Sequence, residues 1–383
     1  MRIYLRYFGT HLLVAATIIG LLLGGSWSWL GLLTGVVGWI GADALSTTVA
    51  APPVYRHPRL LDMALYSLLV PLVVLCVVYA WTLAHGDLCA LGRTLTTLSG
   101  YPLLDARATN TTLDRLGASW SFALAIAMAA ILTAHELLHR QRDRLALVAG
   151  RLMLAMACNA TLEVAHVFGH HREVGTPADP ATARRGESVY HFWVRSSCGQ
   201  VLQAWRIERA RLTGQPWPRR WLRNRALRGL VRSGTVIVLF HAAGGATAVV
   251  WFLLATAWNK LLLEALNYME HYGLVRVPGT PIEARHAWDA DSAFSHAALF
   301  NLPWHADHHH RSGVPFGRLR ASPTAPHLGR GYLATLPLVL VPPLWQRLIA
   351  PRLADWDRRL ASAAERALVA DTPAHRRGDL SAT

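Results

Sequence analysis

The sequence predicts an all-α integral membrane protein with about six transmembrane helices. Two observations carry that expectation. Of 383 residues, 52% are hydrophobic and only 16% are charged, where soluble chains carry about a quarter. Charge-free runs from Tyr7 to Ala42 (36 residues) and from Met63 to Ala84 (22 residues) exceed the ~20 residues that cross a hydrocarbon core. A purely soluble enzyme is excluded. The net charge of +15 rests almost wholly on arginine, Lys260 being the one lysine. These arginines lie mostly between apolar stretches, which suits membrane-face and partner electrostatics rather than nucleic-acid binding.

Taken in order, the amino terminus has the basic start and apolar core of a signal peptide but no small-x-small cleavage pattern, so it reads as a retained first helix. The 36-residue run is too long for one span and suffices for two, at about 8–25 and 29–46, turning at Gly24-Gly25-Ser26 or Ser28. Runs 62–84 and 118–138 supply the third and fourth, with a kink expected at Pro71. From Ser233 to Met269 only Lys260 and Glu264 are charged, giving either one tilted helix or a hairpin turning near Gly244-Gly245; parity favours the hairpin. Arg2, Arg6, Arg56, Arg59 and the run HRQRDR from His139 mark one cytoplasmic side of an inner membrane, and the loop 86–117 falls outside. The stretch Tyr332 to Gln346, with three prolines, lies at the interface. The divisions expected are 1–139, the first four spans; 140–232, a cytoplasmic segment; 233–270, the hairpin; 271–360, a cytoplasmic or interfacial segment; and 361–383, a disordered tail.

Nine of nineteen histidines cluster on the cytoplasmic side of this topology: His135 and His139 in HELLH; His166, His170 and His171 in HVFGHH; His271 in NYMEHYG; and His305, His308 and His309 in HADHH. A lone interfacial histidine is ordinarily hydrogen-bonded near headgroups. Nine in four clusters require another account, and neutral imidazole is the commonest metal ligand. HELLH alone matches a zinc-peptidase motif, with Glu136 as general base, but that reading leaves seven clustered histidines without a role. Imidazole-rich ligation of more than one metal, without cysteine and with few carboxylates, suits iron ahead of zinc or copper. Glu136, Glu163, Glu187, Glu270 and Asp307 either orient imidazole N–H groups or pair with arginines. The other histidines show no such pattern. Cys76, Cys89, Cys158 and Cys198 form no CxxC, so the chain offers no dithiol or iron–sulfur ligation of its own.

HELLHR, HVFGHHREVGTPADPATARRGES, NYMEHYGL and HADHH, in this order, resemble the membrane-bound alkane 1-monooxygenases and their xylene monooxygenase relatives, within the superfamily of membrane fatty-acid desaturases and hydroxylases. The resemblance covers about residues 60–355. It implies six membrane helices, two non-haem irons held by the nine histidines, O2 as co-substrate, electrons from rubredoxin and terminal hydroxylation of a hydrocarbon. Two places depart from the family pattern. Ala165 stands where the family usually has glutamate before the second box, with Val167-Phe168 for a polar pair, and Leu302-Pro303-Trp304 precede the last box. No ligand position is lost, and the departures bear on substrate and donor docking. Desaturation or hydroxylation of an acyl chain is the nearest alternative. An intramembrane zinc protease and a haem protein with axial histidines are more distant ones.

Overall fold

The structure, a computed structural model, describes residues 2–49 and 53–370. Among them β-structure is confined to two isolated bridge pairs, Thr48 with Ser292 and Asp289 with His327; the regular elements are helices. Four helices are long and apolar enough to cross a membrane: Ile3–Leu23, Pro58–Leu83, Thr112–His139 and Arg225–His271. The chain divides into two compact units, one of Met1–Gly41, Tyr55–Ala160 and Trp221–Leu262, the other of Ala42–Val54, Thr161–Arg220 and Leu263–Thr383.

In the first unit, the chain turns at Gly24, whose φ is +69° and where a Cβ would stand 3.0 Å from the Ala106 carbonyl oxygen. Only glycine suits that backbone. The next apolar stretch runs from a 3-10 turn at Gly25–Trp29 through Leu30–Leu33 and a π turn at Thr34–Trp39 to Ile40–Ala44. This glycine-rich apolar stretch is therefore irregular, as low helix propensity at Gly31, Gly35, Gly38 and Gly41 allows. Pro71 has no N–H for the Ser67 carbonyl. The Pro58–Leu83 helix accordingly breaks at residues 67–68, between Pro58–Tyr66 and Leu69–Thr82.

Thr112–His139 starts at a capping box, in which Thr111 and Asp114 satisfy one another's backbone N–H groups. Its small side chains are buried almost throughout, and its far end carries HELLH. The 225–271 segment leaves helical geometry at Gly244 (φ −144°) and Gly245 (φ +62°). Phe240 and Phe252 stack there with ring centroids 4.1 Å apart. Twelve residues of straight helix span about 18 Å, so the chain must double back. The aromatic pair at this reversal packs with Tyr79 and Phe122.

The second unit holds the other three histidine clusters. Residues 162–173 form a short helix interrupted by a π turn at His166–His170. Arg276, buried, clamps the chain that follows: its guanidinium donates to the carbonyls of Val174 (2.8 Å) and Arg172 (2.7 Å). Helix Val189–Arg211 comes next. The carboxy-terminal part folds around buried Trp288, Trp345 and Trp356. Tyr332–Val339 and Pro342–Arg359 are separate helices, the second opening on proline at its first turn. Order continues past residue 361, contrary to the expectation of a tail disordered from there. Ala363–Ala370 is helical, because Ser362 caps it and Glu365 is drawn into buried contacts that composition does not reveal. The rest of the expected tail, 371–383, lies outside the described residues.

Candidate metal centre

In the first unit, His135 and His139 are one turn apart on the last turn of Thr112–His139, with ring centroids 5.0 Å apart. Their spacing of four stacks both imidazoles on one helix face.

In the second unit, three clusters are sorted into two sets. His170, His271, His305 and His309 are all buried and bring one ring nitrogen each within 4.8 Å of the others; His166, His171 and His308 do the same among themselves. The π turn makes this sorting possible. On a regular α-helix residues five apart point ~140° away from each other, whereas the i→i+5 turn brings them into line. His166 Nε2 and His171 Nε2 thereby come within 3.0 Å, while His170 points to the other set. Gly169 sits inside this turn with the Gln203 side chain against it, where a Cβ would clash at 2.4 Å. On helix His305–His310 the division follows ordinary α-helical spacing: His305 and His309, four apart, join one set, and His308 joins the other.

The donor atoms fit a cation. His305 Nε2 lies 3.0 Å from His271 Nε2 and 3.1 Å from His309 Nε2. Two nitrogens each about 2.1 Å from one metal and at right angles to it lie about 3 Å apart. Burial and neighbouring imidazoles keep the pKa of His309 well below the usual histidine value, so its ring stays in the neutral, ligating form. His309 Nδ1 is buried without a hydrogen-bond partner.

Contacts behind the rings fix their orientation. His170 Nδ1 meets Asp179 Oδ2 at 2.8 Å, both side chains buried. Burial pushes the Asp179 pKa up, but the His170 ring, the Thr182 hydroxyl and the Ala181 N–H together hold it below the usual carboxylate value. His271 Nδ1 donates to the His286 carbonyl at 3.1 Å. Of the five carboxylates singled out in the sequence, Glu270 approaches a clustered imidazole, with Oε2 3.5 Å from His305 Nε2. Glu136 pairs with Arg140 at 3.1 Å. Glu187 accepts from Arg195 and His191 and from the Arg184 N–H. Asp307 is bound by Arg311 and accepts from the Arg320 N–H. Glu163 is buried one turn before His166, its charge felt by Arg211. Asp179 went unremarked in the sequence, although its place between prolines in a turn-rich stretch just after three histidines was the available signal.

Comparison with known proteins agrees with this arrangement. Residues 116–322 match the fatty acid desaturase family model. The chain is 30% identical over 382 residues to the xylene/toluene monooxygenase hydroxylase component of Pseudomonas putida, covering 95% of this chain and 93% of that protein. It is 35% identical to alkane 1-monooxygenase 1 of Pseudomonas aeruginosa over 63% of this chain and 64% of that protein. Against the alkane 1-monooxygenase of Acinetobacter baylyi the identity is 32% over 58% and 56% respectively. The match thus spans less than two thirds of the alkane enzymes' length. With more than half of its length in that family model and a relative aligned nearly end to end, the chain belongs to the fatty acid desaturase family, on the branch of the alkane and xylene monooxygenases.

Proposed function

We propose that the chain is an integral-membrane, non-haem di-iron monooxygenase that hydroxylates a methyl group of a hydrocarbon, an alkane terminus or an alkyl-aromatic side chain, with O2. The observation that carries this reading is the division of seven imidazoles from three sequence boxes into two sets, two of the boxes contributing to both. In this proposal His170, His271, His305 and His309 hold one iron and His166, His171 and His308 contribute to the other, while the sequence resemblance assigns His135 and His139 as further iron ligands. Such irons, when bound, supply reduction of O2 and oxidation of an unactivated C–H bond.

The protein's own residues do the rest. Asp179 and the His286 carbonyl hold the Nδ1 protons of His170 and His271, leaving each Nε2 lone pair available to a metal. Buried apolar neighbours such as Trp304 and Leu302 exclude water around the last box. No side-chain base is needed to remove a C–H hydrogen. In the proposed topology six spans place the histidines at the cytoplasmic face of the inner membrane, so that the apolar substrate enters from lipid. Electrons come from a separate protein of rubredoxin type, since the chain has no CxxC for a redox centre of its own. The end-to-end likeness to a xylene/toluene enzyme supports alkyl-aromatics as the first substrates to try.

The test is incubation of membranes containing the protein, with rubredoxin and its reductase, against alkanes, alkyl-aromatics and fatty acids under 18O2. Labelled alcohol together with about two irons per chain is expected. An unsaturated acyl product would favour a desaturase, and one zinc per chain a protease.

A further inference from the structure

The geometry points to Glu365, in the last described helix, as a positioning residue that holds His271 in its ligating orientation through His286. This inference rests on the proposal that His271 is an iron ligand. His286 itself belongs to no histidine cluster.

Three consecutive hydrogen bonds make the connection. His271 Nδ1 donates to the His286 carbonyl oxygen at 3.1 Å, which leaves its Nε2 lone pair facing His305 Nε2. The His286 ring is in turn fixed at both nitrogens. The Glu283 N–H donates to Nδ1 at 3.0 Å, so Nε2 carries the proton, and it donates to Glu365 Oε1 at 2.7 Å. Both side chains are buried, at 1% and 2% exposure; in that setting a lost partner leaves a donor or acceptor unsatisfied.

Glu365 does more than accept from His286. Its Oε2 takes the Ser362 N–H at 2.7 Å and the Arg285 Nε–H at 3.0 Å, while Trp356 Nε1 donates to the Arg285 carbonyl at 2.7 Å. The segment Glu283–His286 is therefore held from the carboxy-terminal side by one carboxylate and one indole. A neutral imidazole donates from only one nitrogen. Fixing the carbonyl that receives the Nδ1 proton selects the His271 tautomer and its ring angle. Without Glu365 the His286 carbonyl is free to shift and the His271 ring can rotate or exchange tautomer. Glu365 lies outside the stretch matched by the family model, so this support comes from a part of the chain that the histidine boxes do not announce.

The test uses the full-length, iron-loaded protein and reads iron release to a chelator, with helical content measured alongside. Changes to outer-shell partners cost about 10–100-fold in metal affinity; Glu365 acts through one intermediate residue, so the lower end applies. In Glu365→Ala one of the two irons should leave about tenfold faster, and the other at the wild-type rate. Glu365→Gln leaves one acceptor oxygen for the three donors His286, Ser362 and Arg285 and should give an intermediate rate; it decides the matter if the alanine variant does not fold. Ser362→Ala weakens the helix cap but leaves the Glu365–His286 bond, and should release iron as the wild type does. Wild-type rates in the foldable Glu365 variants overturn the inference. So does equal release from Ser362→Ala and Glu365→Ala, which would assign the effect to helix capping. Absence of iron from the wild-type protein would instead sink the di-iron proposal.

Discussion

At the scale of single residues, the site is a sorting of imidazoles, and their partners decide which nitrogen faces inward. Alanine at His166, His170, His171, His271, His305, His308 or His309 should abolish hydroxylation and lower bound iron, a larger loss than the roughly 10–100-fold seen for outer-shell changes. His57, exposed and outside the clusters, should tolerate alanine; undiminished iron in two of the cluster variants would refute the ligand assignment. Asp179→Asn keeps the shape but removes the charge facing His170, and a loss of about tenfold in iron affinity is expected, measured by competition with a chelator. Glu365 gives a pH signature. Burial raises its pKa, but the hydrogen bond from His286, the Ser362 N–H and Arg285 bring it down to about 2. A carboxylate lowered on folding stabilises above its unfolded value near 4.5, and that contribution fades as pH falls toward 2. Thermal unfolding of Glu365→Gln should accordingly lose less stability between pH 5 and 3 than the wild type does. The histidine clusters were legible in the sequence because clusters are countable. Asp179, nine residues after His170, was passed over for want of a histidine-like cluster, whereas His286 and Glu365 were not legible because Glu365 meets His286 from 79 residues away.

Among the elements, the π turn at His166–His170 explains why HVFGHH, with spacings of four and five, serves two sets at once. Reading the sequence with α-helical periodicity alone pairs His166 with His170, four apart, and turns His171 away; it finds the residues and misses their division. The glycines of the second apolar stretch are divided too. A side chain at Gly31 would strike Thr17 and Ser121, and one at Gly35 would strike Leu124, whereas Gly38 and Gly41 have open space before them. Helix approach explains the first two. Gly31→Leu and Gly35→Leu should lower the folded yield by overpacking, at about 1–3 kcal/mol each, with activity falling alike for every substrate. Gly38→Leu should express normally; a shortened substrate range in that variant would mark the open end as part of a substrate path. The product profile across a chain-length series distinguishes these outcomes.

For the whole molecule, charge and chain reversal are the features that matter most. The segment from Arg206 to Arg232 carries nine arginines and one acidic residue, Glu208, and Glu208 is already bound by Arg211. Arg219, Arg220 and Arg223 are exposed; were the proposed electron donor acidic, their charge would raise its encounter rate. Reversing all three to glutamate should slow donor-dependent turnover most at low salt, since screening grows with ionic strength; rates that stay unchanged across salt would assign these arginines to lipid headgroups instead. Hydropathy showed apolar length but not the reversal inside 225–271, which two glycines permit and a phenylalanine pair holds shut. Gly245 has φ +62° and the His85 ring 3.0 Å from where a Cβ would be, so Gly245→Leu should strain the turn, and a reporter at the carboxy terminus should then change its side of the membrane in part of the population. The reversal also bears on how the chain is made. At about 5–20 residues per second, the ribosome takes about 3–12 seconds to pass from Gly245 to His305, which gives Phe252 time to clear the ribosome and meet Phe240 before that histidine is joined. The hairpin can therefore close on itself and leave the insertion machinery as one body while the last histidine box is still unsynthesised, so that a fault in these two glycines would be felt during birth, before there is any site to damage.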